Sequence, residues 1–105
     1  MPRLAGRFAV VLTVTQLEAS AAWYERVLAF TRSGTYAKEI VLRHESGLTI
    51  SLVAHEVTFG EPFDERRTGL DHLELIVDSR ADLDDWASEL DRAGVQHSGV
   101  KSPYW

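Results

Sequence analysis

Apolar positions in this chain follow two periods, and the periods alternate along it. Phe8–Val14 is a near-continuous apolar run of strand length. Val10, Leu12 and Val14 share one face, and Ala9, Val11 and Thr13 the other. Thr15 and Glu18 then fit a capping box, and Ala19, Ala22, Trp23, Val27 and Phe30 fall at helical spacing. Three strand candidates follow: Thr31–Thr35, Glu39–His44 and Leu48–Ala54. The last two join across Glu45-Ser46-Gly47, where glycine permits the positive φ of a hairpin turn. Residues 8–55 therefore read as strand, helix and three strands.

Residues 56–69 hold no sustained period and read as a connector. They contain Gly60, Pro62 and the cluster Asp64-Glu65-Arg66-Arg67, whose acids are expected to neutralise its arginines. The first pattern then returns. His72–Trp86 repeats Ala9–Trp23 at an offset of 63, so Leu73, Leu75, Val77 and Trp86 fall on Val10, Leu12, Val14 and Trp23. Leu70–Val77 reads as a strand. Asp78 or Ser79 caps a helix with the stripe Leu83, Trp86, Ala87 and Leu90. Its early acids suit the positive end of the helix dipole, and Gly94 is a natural stop. Val95–Val100 reads as a short strand. The second copy ends at Trp105, without counterparts to Glu39–His44 and Leu48–Ala54.

The 105 residues suit one domain of α+β class, built from paired related halves with the second incomplete. The absence of cysteine removes disulfides, thiol nucleophiles and cysteine zinc sites. A net charge of −5 argues against nucleic acid and is compatible with a cationic ligand. Met1–Arg7 is too short and polar for a signal peptide, and no apolar run approaches a membrane span. The expectation is a cytoplasmic protein.

Candidate chemistry concentrates at His72 and Glu74. Period-two geometry puts both on one face, with Leu73 and Leu75 on the other. Such a pair can serve as a metal ligand with its carboxylate, or as an acid–base couple. Tyr36, Phe59, Phe63, Tyr104 and Trp105 are aromatics in loop or terminal positions, suited to a ligand cup or a subunit interface. His55 is a rim candidate, and His44, beside the hairpin turn, is expected to be exposed. No Ser-His-Asp triad, phosphate loop or dinucleotide fingerprint is present.

Val11-Leu12-Thr13-Val14 with Trp23-Tyr24-Glu25-Arg26-Val27-Leu28-Ala29-Phe30 resembles the vicinal oxygen chelate superfamily. Gly69-Leu70-Asp71-His72-Leu73 and Leu83-Asp84-Asp85-Trp86-Ala87 with Gly94-Val95 resemble the start and the helix of its second module. The superfamily includes glyoxalase I, bleomycin-resistance proteins, fosfomycin-resistance enzymes and extradiol dioxygenases. The resemblance covers about Phe8 to Trp105. It implies paired βαβββ modules in one domain spanning 1–105, the second module (70–105) truncated. In the metal enzymes of the family one ligand lies on the first strand and one on the last strand of each module. Those positions fall on Ala9, Ser51 and His72, the fourth having no counterpart here.

The resemblance leaves three readings open. One is a small-molecule binder and homodimer without a full metal set, its ligand meeting His72, Glu74, Ser51, His55, Tyr36, Phe59 and Phe63. Another is a metal-dependent lyase, isomerase or dioxygenase, with zinc, nickel, manganese or iron on His72 and Glu74 as its catalytic acid–base group. The third is a degenerate domain that acts only in an assembly, where another chain covers an open sheet edge. The expectation is ligand binding without a cofactor.

Overall fold

The computed structural model describes residues 1–101. It divides into two compact units, Met1–Gly60 and a second starting at Glu61.

The first unit runs β1 (Val10–Thr13), α1 (Leu17–Leu28), β2 (Thr31–Thr35), β3 (Glu39–Arg43) and β4 (Thr49–Val53). Its sheet has the order β1-β4-β3-β2. β1 lies parallel to β4, and the other pairs are antiparallel. The β3–β4 hairpin turns at Gly47, whose φ of +101° is open to glycine at little cost. The chain thus returns its last strand beside its first, leaving β1 and β2 as edges.

Alternation along the strands gives the sheet two unlike faces. Ile40 and Leu42 of β3 and Ile50 and Leu52 of β4 are buried in one cluster with Ala21 and Phe30. Leu12, Val14, Leu17, Tyr24 and Leu28 pack against it. α1 therefore buries the stripe Leu17, Ala21, Tyr24, Leu28 with Val27, while Ala19 and Ala22 are exposed. The expected stripe is rotated because larger side chains remove more apolar area from water than two methyl groups do.

The start of α1 also departs from expectation. Its N-cap is Gln16 and carries no side-chain capping bond. Glu18 instead pairs with Arg32 of β2, 2.7 Å from Nη2. A charge-assisted contact displaces the neutral back-bond of a capping box. The helix ends on Ala29, left-handed at φ +60°.

The second unit contains α2 (Arg80–Arg92), which starts 63 positions after α1 as the repeat requires. Ser79 caps it, its Oγ accepting from the Asp82 amide at 3.1 Å. Leu83, Trp86, Ala87 and Leu90 are half-buried, and the acids of the helix face outward.

Leu70–Val77 and Val95–Val100, both expected as strands, are not strands. A strand satisfies its backbone only beside a partner. β1 has β4, but neither of these segments has a partner strand among the described residues. Apolar alternation marks Leu70–Val77 without supplying its ladder. Among the described residues, four strands and two helices make an α+β fold, with one complete βαβββ unit.

Candidate functional site

The sheet face opposite the core cluster carries a continuous row across all four strands. Ser51 of β4 pairs with Val11 of β1 on one side and Val41 of β3 on the other. Val41 in turn pairs with Gly34 of β2. Paired residues project to the same face, so Val11, Ser51, Val41 and Gly34 form one line. Ser51 is buried at 5% exposure, the one polar residue among the buried positions described.

Tyr36 completes the row. A β-carbon built on Gly34 would lie 3.0 Å from the Tyr36 ring and 3.2 Å from its hydroxyl oxygen. The ring thus lies over the backbone at Gly34, and glycine leaves the space it fills. Period-two reading of β3 and β4 would have found Val41 beside Ser51. The part of Gly34 rests on a register shift between Arg32 and Gly34, which no sequence period reveals.

The second unit holds the other grouping. His72 Nδ1 lies 2.6 Å from Asp71 Oδ1, and its Nε2 lies 3.3 Å from Glu74 Oε1. The hydrogen bonds to Asp71 and Glu74 hold the imidazole above its ordinary value, favouring the charged ring. All three residues are exposed. The expected partnership of His72 with Glu74 is present, and Asp71 joins it.

The remaining candidates fall outside these groupings. His55, Phe59 and Phe63 are exposed. Tyr104 and Trp105 lie outside the described residues. His44, expected to be exposed, is half-buried with its ring 5.3 Å from that of Phe30. Arg66 and Arg67 are neutralised by Asp64 at 2.8 Å and Glu61 at 2.6 Å, as local charge balance requires.

The two first-module positions that the resemblance marks for a metal offer it little. Ala9 has no ligand atom, and Ser51 offers a neutral hydroxyl. Among the described residues, no three His, Cys, Asp or Glu side chains are placed to hold an ion.

Residues 7–104 match the family described as Glyoxalase/Bleomycin resistance protein/Dioxygenase superfamily. The chain belongs to this superfamily. It is similar to a glyoxylase/bleomycin resistance protein/dioxygenase domain from Frankia sp. EAN1pec, at 33% identity and TM-score 0.78, covering 94% of this chain and 81% of that one. A putative glyoxalase from Bacillus halodurans is 26% identical with TM-score 0.67, over 86% of this chain and 70% of that one. The bleomycin resistance determinant of transposon Tn5 shares the fold at 21% identity and TM-score 0.63, over 94% and 73%. No curated protein matches the chain. Among the described residues, no helix is long and apolar enough to cross a membrane.

Proposed function

We propose that this superfamily member binds a small organic molecule on the sheet face that carries Ser51, without a metal, as a cytoplasmic homodimer. The observation that carries the reading is the row Val11, Ser51, Val41 and Gly34, with the Tyr36 ring over its Gly34 end. An apolar floor with one buried hydroxyl and one aromatic wall is the chemistry of a small-molecule site. The net charge of −5 favours a cationic ligand over an anionic one.

Homodimerisation rests on β1. This edge reads Val-Val-Leu-Thr, without bulge, charge or proline, and invites pairing. The opposite edge, β2, carries a register shift that discourages it. Residues 8–55 act as the first module and 56–69 as a connector, with the second module starting at residue 70. Within the first unit, Phe59, exposed on the connector, supplies apolar cover for ligand or partner, with His55 on the rim; within the second, Phe63 is exposed and His72 and Glu74 offer polar contacts of their own.

The test is an amide NMR screen of the full chain against cationic small molecules, metal-free bleomycin among them, with nickel and zinc as separate arms. Shifts at Val11, Gly34, Tyr36, Val41 and Ser51 with an organic probe are expected, alongside a dimer mass by sedimentation. Saturable metal binding that is lost in His72→Ala would replace this reading with a metal-dependent lyase or dioxygenase. Indifference of the Ser51 row to every probe would remove the site.

A further inference from the structure

Helix α2 ends in a complete Schellman closure. The Val95 amide donates to the Leu90 carbonyl at 2.9 Å, and the Gly94 amide to the Asp91 carbonyl at 3.1 Å. Gly94 takes the left-handed conformation this needs, at φ +73°. The backbone is thereby satisfied, but one charge is out of place. Asp91 sits in the last turn, where the helix dipole disfavours an anion.

His97 answers that charge. Its Nε2 lies 2.7 Å from Asp91 Oδ1, and the side chain is only 22% exposed. Its other nitrogen is also engaged: the Gly99 amide donates to Nδ1 at 3.1 Å. A backbone amide can only donate, so Nδ1 must carry a lone pair. Nε2 then carries the proton it gives to Asp91. The two contacts fix one tautomer of a neutral ring. The other charges of this helix end, Glu89 and Arg92, pair with each other. That leaves Asp91 as the charged partner of His97.

We propose that His97 is a proton-operated latch: its neutral ring, bonded to Asp91 of α2, accepts from the Gly99 amide, and protonation releases Gly99 while keeping Asp91. A second proton can enter only at Nδ1, the atom that accepts from Gly99. It converts that acceptor into a donor facing another donor. The Asp91 contact gains charge by the same step, so the ring stays and the Gly99 amide lets go. The same geometry recurs at His44, whose Nδ1 accepts from the Ser46 amide at 3.1 Å, but without a carboxylate.

The test is a pH series of amide and imidazole-nitrogen spectra on the full chain. At pH 8 the His97 ring is expected as the Nε2–H tautomer. On acidification the Gly99 amide resonance moves with the midpoint of the His97 ring. Its hydrogen exchange, corrected for the intrinsic effect of pH, accelerates severalfold. In His97→Gln the Gly99 response disappears while the α2 amides keep their positions. In Asp91→Asn the Gly99 response persists. An Nδ1–H tautomer at pH 8, a Gly99 amide that ignores the His97 titration, or a response that survives in His97→Gln would each overturn the proposal.

Discussion

The Tyr36 ring lies over Gly34, 3.0 Å from where a β-carbon on that glycine would sit. The glycine is not in a conformation that only glycine adopts, so it serves by being small. Gly34→Ala is therefore expected to displace the ring and leave the fold intact. The Tyr36 side chain is exposed and can swing away, so stability should change by less than about 0.5 kcal/mol. Binding of an organic probe at the Ser51 row should weaken by about tenfold, ~1.4 kcal/mol. Unchanged affinity with a displaced ring would take Tyr36 out of the site.

Ala29 is the mirror case, a position where glycine would serve better. It closes α1 in the left-handed region at φ +60°, where a β-carbon crowds the carbonyl. Its backbone amide bonds the Tyr24 carbonyl, an interaction that glycine would keep. Ala29→Gly is expected to stabilise the protein by about 1 kcal/mol. A thermal melt should show a gain of roughly 4–8 °C. A lower melting temperature would mean that the unfolded chain's added freedom outweighs the relief.

The complete burial of Leu52 and the exposure of Leu73 make a second contrast. Both are leucines in strand-like patterns, but only Leu52 belongs to a ladder and a core. Leu52→Ala should cost about 2–5 kcal/mol, Leu73→Ala less than about 0.5 kcal/mol in the monomer. Denaturant melts of the two variants measure this directly. Equal costs would show that Leu70–Val77 is packed in solution as a strand should be.

This pair also marks how far the sequence could be read. The complete βαβββ unit was legible because each of its strands finds a partner within a few dozen residues. Thr31–Thr35 has the observed bounds, and the other three strands lost only end residues. The 63-residue repeat located α2, and cap chemistry narrowed its start to Asp78 or Ser79, since helices satisfy their own backbone and caps are local. It failed at Leu70–Val77, where the same apolar alternation lacks a partner strand. Period also could not foresee Glu18 leaving its helix for Arg32, a contact made 14 positions away. Ser51, His72 and Glu74 could be named from the sequence as candidates. The Gly34–Tyr36 contact could not, because a register shift creates it.

Glu18 and His72 should leave opposite marks on the pH dependence of stability. Hydrogen bonding to Arg32 holds the Glu18 carboxyl below its ordinary 4.5. A depressed folded value means that its contribution is present above 4.5 and is lost as pH falls through the folded value. Hydrogen bonds to Asp71 and Glu74 hold His72 above its ordinary 6.5. A raised folded value means the reverse: full contribution below 6.5, lost as pH rises through the folded value. Both groups are exposed, so solvent screens each contribution and the effects are small. The measurement is melting temperature from pH 3 to 9 for the native chain, Arg32→Gln and Asp71→Asn. Arg32→Gln should lose its deficit against the native chain at the acid end, and Asp71→Asn at the alkaline end. A constant offset across the range for either variant would mean that its pair is not formed in solution.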